Sequence, residues 1–284
     1  GEGGVLINSK GERYMKNYYP ERMELGPRDV VARATFNEII AGRGTPHGGV
    51  WLDVTHLSKE KILDRLPTMY EQFKNIDGID ISKEKMEVGP TAHYSMGGIL
   101  VDINCRTKVR GLFAVGEVIS QIHGANRLGG NSLLDTIVFG KIAGGEASTL
   151  AKEVGAQTGT SPLASNINNQ KGFDDGIFIV KEPIAFRNEI QELMKFNAGI
   201  VREQTRLENG LKRILELKRK FYSKDNILKE FNIDDEDLTL TMEVKSSLVI
   251  CEAIIRSALM RQESRGAHYR SDFPNLDDEK WRIN

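Results

Sequence analysis

Three stretches of this chain combine residue types suited to a chemical site. The first is Glu24-Leu25-Gly26-Pro27-Arg28-Asp29. An arginine placed directly after Gly-Pro sits on a turn, and a helix-like run from Val30 to Ile40 follows it. The second is Pro90-Thr91-Ala92-His93-Tyr94-Ser95-Met96-Gly97-Gly98, with a histidine between a proline and a glycine pair at the edge of an apolar run. The third is Gly111 to Glu117 followed by His123 to Leu133. Here an apolar strand ends on the carboxylate of Glu117, and carboxylates at strand ends often accept hydrogen bonds from ribose-like hydroxyls. A glycine-rich loop carrying Arg127 comes next, then a helix start at Ser132. Free N–H groups at such a start point outward, and the positive end of the helix dipole favours an electron-rich oxygen. Taken singly, each stretch also has a bland reading. A turn arginine is usually a surface charge, a lone histidine is usually a hydrogen-bonded structural group, and glycines often serve only close packing.

The elements that must position these residues are legible from periodicity. Val50 to Val54 is strand-like in its bulky and branched residues. Ser58 is placed to cap a helix beginning at Lys59, with Ile62, Leu63 and Leu66 on one face. Pro67 breaks that helix or starts another, and Gly78 closes it. The runs Gly98 to Val101 and Gly111 to Gly116 read as buried strands, and Ser132 to Leu150 as a buried helix. Residues 156–174 read as a loop or linker. Beyond it the spacing is helical: Phe186, Ile190, Leu193 and Met194 share one face, Leu207, Leu211, Ile214, Leu215 and Phe221 another, and Leu240 to Leu259 step by three or four along a third helix. Short connections predict an antiparallel bundle of about three helices. The charged stretch Asp234 to Asp237 reads as a solvated turn.

Bulk properties set limits. The 284 residues are 39% hydrophobic and 28% charged, which suits a globular chain with a buried core. Lys and Arg total 39 against 40 Asp and Glu, so nothing in the charge balance points to nucleic acid or a membrane surface. No apolar run approaches the roughly 18 residues that span a bilayer. The two cysteines, Cys105 and Cys251, match no metal spacing and suit a reducing compartment. The chain opens on Gly1-Glu2-Gly3-Gly4 and is expected to be cut from something longer.

At the residues quoted above the chain resembles the flavoprotein subunits of succinate dehydrogenase and fumarate reductase. The resemblance runs in order through Gly1 to Gly4, Leu25 to Asp29, His93 to Gly98, Gly111 to Glu117, His123 to Asp135, and Ser264-Arg265-Gly266-Ala267-His268 with Asp272-Phe273-Pro274 and Trp281. It implies an α+β fold: a capping-domain piece at 1–90, a returning segment of the FAD-binding domain at 91–155, the linker 156–174, and a helical carboxyl-terminal domain at 175–284. It implies FAD as cofactor and succinate and fumarate as substrates. Arg28 matches the catalytic arginine that shuttles a proton. His93 and Arg127 match residues that hold substrate carboxylates, Glu117 matches an FAD ligand, and Ser132 and Leu133 match backbone contacts to the flavin ring. His123 lies inside the motif without an assigned role. Hydride exchange would occur at flavin N5. An arginine acid is unusual, because a free guanidinium titrates above about 12, so it would need burial, positioning and a relay.

The family's Gly-x-Gly-x-x-Gly strand-turn-helix has no counterpart here. The resemblance therefore implies an incomplete FAD site, an amino-terminal FAD-binding half as a partner, and a chain inactive by itself. It further implies a cytoplasmic location, peripheral to a membrane only through partner subunits, one of which is an iron–sulfur protein. Two alternatives stay open. L-aspartate oxidase shares the architecture but usually has a cysteine where Met96 stands. A non-catalytic assembly module is the other, since segment 183–263 resembles the region adjoining the iron–sulfur partner.

Overall fold

A computed structural model describes residues 1–155, 178–228 and 236–282. The expected linker at 156–174 lies outside them, as does part of the charged stretch before Asp237. The chain divides into two compact units, Gly1–His93 and Tyr94–Asn284.

The first unit is built on a small antiparallel sheet in the order β1 (Val5–Ile7), β2 (Val50–Asp53), β3 (Met86–Val88). Val5 faces Asp53 across the first pair, and Val50 faces Val88 across the second. Strands this short are not stable alone, so helices must cover the sheet. Helix α1 (Met15–Tyr18) and helix α2 (Arg28–Glu38) pack Met15, Tyr14 and Ala34 with Leu6 and Val50 in one cluster. A second cluster holds Val54, Ile62, Tyr70, Ile81 and Met86. Helix α3 (Lys59–Arg65) starts where Ser58 accepts from the Lys61 N–H, as the capping pattern predicts. Pro67 opens a new helix, α4 (Pro67–Gln72), because its missing N–H is an orphan there anyway. Gly78 ends the turn that follows.

In the second unit the expected strands at 98–101 and 111–116 do not form. One parallel bridge joins Ile99 to Ile119 and one antiparallel bridge joins Arg106 to Phe113. Residues 116–118 form a 3-10 turn instead. A strand needs a neighbour for its N–H and C=O groups, and no ladder partner exists among the described residues. Leu100 and Leu112 are accordingly about half exposed, at 51% and 50%. Helix α5 (Asn131–Val154) forms as predicted, but most of its apolar residues are not buried. Leu133 is 75% exposed and Ile137 71%, with Leu134 and Val138 also exposed. An apolar sequence predicts a buried helix only if a second element covers it.

The expected bundle is present. Helices α6 (Pro183–Asn197), α7 (Gln204–Phe221) and α8 (Glu236–Met260) pack on one another around Phe186, Ile190, Leu207, Ile214, Leu248 and Ile255. Phe221 meets Phe186 and Phe178 edge-on, the arrangement ring quadrupoles favour. A short helix α9 (Asp278–Trp281) follows the turn after α8. The α+β class is borne out. No helix among the described residues is long and apolar enough to cross a membrane.

Candidate functional site

In the first unit, Arg28 is the first residue of α2. Pro27 precedes it with φ −54 and its carbonyl accepts the Val31 N–H at 3.0 Å, so proline pre-sets the helix entry. The far end of α2 is pinned by Glu38, whose carboxylate is almost wholly buried. Arg43 donates to both its oxygens at 2.7 and 2.8 Å, Asn8 Nδ2 donates at 2.8 Å, and the Tyr18 hydroxyl at 2.7 Å. These bonds, Arg43's foremost, hold the Glu38 carboxyl down at about 2. Midway, the Tyr14 hydroxyl pairs with Thr35 Oγ1 at 2.7 Å. The helix is thus fixed from inside while Arg28 itself is exposed, with no hydrogen bond or ion pair among the described residues. The burial that an arginine acid needs is not supplied within this unit. His93 closes the unit and is exposed as well.

The second unit brings four residues of the motif region together. Asp135 projects from the first turns of α5 and is 4% exposed. Its Oδ2 accepts from His123 Nε2 at 2.7 Å and from the Tyr94 hydroxyl at 3.2 Å. A carboxylate can only accept, so a proton sits on His123 Nε2. Burial, and then the charge of Asp135, pushes the Tyr94 phenol upward, which keeps it a donor. The His123 ring meets the Tyr94 ring edge-on at 5.4 Å. On Tyr94's face lies the Arg127 guanidinium, 4.6 Å from the ring centroid. Arg127 Nη1 donates to the Leu128 carbonyl at 3.1 Å, while its buried Nε has no partner among the described residues.

Glu117 stands on the 3-10 turn at 116–118 with its side chain exposed. Its Oε1 accepts the Ser95 N–H at 2.8 Å, and Oε2 has no hydrogen bond among the described residues. Gly98 packs against that same turn. A Cβ there would fall 2.1 Å from the Val118 carbonyl oxygen, so only glycine permits the approach. Ser132 and Leu133 are the second and third residues of α5. The preceding Gly130 provides no side-chain cap and the first turn has no acid; the Leu128 carbonyl takes the Asn131 N–H at 3.3 Å, and the Ser132 and Leu133 N–H groups have no acceptor among the described residues. Of the residues singled out from sequence, Arg127, Glu117, Ser132 and Leu133 belong to this unit, and Arg28 and His93 to the other.

The structure adds three residues with no role assigned from sequence: Tyr94, Asp135 and, in its ion pair, His123. Asp135 had one usable signal. It is the first acid of α5, set between Leu133-Leu134 and the apolar run Ile137-Val138-Phe139, and a carboxylate in that setting demands a donor.

The turn after α8 buttresses the motif loop. Arg270 is fully buried, donating to the Ala258 carbonyl at 2.7 Å and to both Asp272 oxygens at 2.7 and 2.6 Å. It thereby satisfies the orphan carbonyl end of α8. From this turn the Ala267 N–H donates to the Ala125 carbonyl at 3.0 Å. Among the described residues no cluster of three His, Cys, Asp or Glu could hold a metal ion.

Residues 1–133 match the model of an FAD binding domain, and residues 187–284 match that of the fumarate reductase flavoprotein C-term. One subunit of the CoM/CoB fumarate reductase of Methanothermobacter marburgensis is 44% identical over 283 residues, covering 99% of this chain and 50% of that protein. The fumarate reductase flavoprotein subunit of Escherichia coli is 39% identical over 296 residues, covering 96% of this chain and 48% of its own. A solved quinol fumarate reductase of Escherichia coli superposes with a TM-score of 0.81 at 36% identity, covering 99% of this chain and 51% of that one. The chain spans about half the length of the curated relatives it matches. It belongs to the flavoprotein subunit family of the succinate dehydrogenases and fumarate reductases.

Proposed function

We propose that this chain is the dicarboxylate-handling part of an FAD-dependent flavoprotein that interconverts succinate and fumarate. The observation that carries the reading is Arg127. It is a half-buried guanidinium, fixed over Tyr94 and short of partners, four residues before the uncapped start of α5. A cation held this way suits a carboxylate, and the free helix start suits an electron-rich ring edge.

FAD is the cofactor that family membership indicates, and the residues present fit it. Glu117 has one oxygen open to a hydroxyl, and Ser132 and Leu133 have backbone donors with no side-chain cap. The bound flavin would supply hydride exchange at N5 and pass electrons on to an iron–sulfur partner. Everything else falls to the protein. Arg127 and His93 would grip the substrate carboxylates and offset the negative charge that builds towards one of them in the transition state. Arg28 would deliver or accept the proton at the second carbon, provided that a relay re-protonates it. The remaining FAD-binding half would cover the apolar stripe Leu133, Leu134, Ile137 and Val138, which is otherwise a large exposed face. Contact with a membrane would come only through partner subunits.

The test is turnover by the full-length parent flavoprotein in its complex, offered succinate, fumarate and L-aspartate. Succinate oxidation or fumarate reduction that falls by at least about 10³-fold in Arg28→Ala and Arg127→Ala supports the reading. Oxidation of L-aspartate instead would assign the oxidase branch. No turnover of any of the three would leave an assembly role.

A further inference from the structure

The ring of Tyr94 is gripped on two sides before it meets Arg127. Its hydroxyl donates to Asp135 Oδ2 at 3.2 Å, and the His123 ring stands against it at an interplanar angle of 75°. His123 is itself held by Asp135 at 2.7 Å. Both donors converge on one oxygen of a carboxylate that is 4% exposed, while its buried Oδ1 has no partner among the described residues. A half-satisfied buried carboxylate is a costly way to stabilise a fold. Arg127 has the complementary defect: among the described residues its buried Nε has no partner and its side chain makes a single hydrogen bond, to Leu128.

We propose that Tyr94 is a positioning residue for substrate binding: locked by Asp135 and His123, its ring face holds the Arg127 guanidinium in the orientation that grips a substrate carboxylate. The inference rests on the reading that Arg127 binds the dicarboxylate. An arginine side chain loses considerable rotamer freedom when it is pinned on a ligand. A guanidinium already stacked on a fixed ring has lost that freedom beforehand, so binding is tighter. Stacking also leaves the in-plane N–H donors free, whereas an ion pair would consume them. Asp135 acts through Tyr94: it fixes the hydroxyl at the far end of the ring, and the His123 ring, itself held by Asp135, fixes which way the ring faces.

The experiment uses the full-length flavoprotein in its complex. The dissociation constant of malonate, a diacid that does not react, is read from the flavin absorbance change, alongside flavin content and the KM and kcat for fumarate. Tyr94→Leu removes the ring, Tyr94→Phe keeps it without the anchor, and Arg127→Lys is the reference. Tyr94→Leu is expected to weaken malonate about tenfold and to raise KM more than it lowers kcat, at parental flavin content. Tyr94→Phe and Asp135→Asn are expected to weaken malonate only about threefold. In Tyr94→Leu the further Arg127→Lys change is expected to cost less than it does alone. Parental affinity in Tyr94→Leu, with weakened binding in Arg127→Lys, overturns the positioning role but leaves Arg127 as a ligand. Parental affinity in Arg127→Lys itself overturns the underlying reading. If Tyr94→Leu does not retain flavin, Tyr94→Phe and Asp135→Asn decide: intermediate affinities at full flavin content support the role, and unchanged affinities defeat it.

Discussion

Gly266 lies so close to Ala125 that a Cβ on it would fall 2.4 Å from the Ala125 carbonyl oxygen. The same Cβ would lie 2.9 Å from the Asn126 Cβ, and the Gly266 backbone has φ +57, a region that favours glycine. The turn after α8 therefore fits directly under the loop that carries His123 and Arg127. Replacing this glycine must move one of the two. Gly266→Ala is expected to cost about 1–3 kcal/mol in stability. Because the displaced loop holds Arg127, dicarboxylate affinity should fall with it. Thermal melting and diacid titration of the full-length variant check both. Parental values in both would mean that the contact is slack.

His268 sits two residues further on and reports on the same turn. Arg202 Nη1 donates to His268 Nδ1 at 3.0 Å, and arginine cannot accept, so His268 is neutral there. Burial first, and then the charge of Arg202, lowers its pKa to about 4. Unfolded histidine titrates near 6.5, so between those values the unfolded chain binds the extra proton. Stability from this group is whole above about 6.5 and is lost as pH falls towards 4, by up to about 3 kcal/mol. Denaturant melts from pH 7.5 to 4 should show this slope in the parent and a flatter one in His268→Gln.

Glu38 produces the same sign in a lower window. Its carboxyl is held at about 2 by Arg43, Asn8 and Tyr18, against an ordinary value of 4.5. The folded state keeps the charge that the unfolded state loses. Its contribution is complete above about 4.5 and drains away towards pH 2, again up to about 3 kcal/mol. Glu38→Gln is expected to lower stability at neutral pH and to reduce acid sensitivity below pH 4.5. Equal acid slopes in variant and parent would show that the Arg43 pair is not what holds the end of α2.

The 284-residue chain by itself is expected to be colourless and to leave fumarate untouched. Its apolar stripe on α5 should drive self-association. Ile137→Glu, which places a charge in a residue 71% exposed, should reduce that association without lowering the melting temperature. A yellow preparation with a flavin band and measurable fumarate reduction would refute the first expectation. Unchanged sedimentation in Ile137→Glu would refute the second.

Sequence by itself determined the local devices and the family. The Ser58 cap, the helix boundary at Pro67 and the three-helix bundle follow from chemistry spanning a few residues, and ordered motifs such as His123 to Leu133 carry the kinship. What it left undecided depended on contacts between distant residues. The runs 98–101 and 111–116 look like strands, yet a strand exists only beside a partner that local sequence cannot name. Helix α5 looks buried because it is apolar, yet what covers a helix is a tertiary matter. The grouping of Tyr94, His123, Arg127 and Asp135 joins residues up to 41 positions apart. Only the folded chain decides that an acid in an apolar helix finds its donors there, because hydrogen bonds and ring stacking act at a few ångströms whatever the separation along the chain.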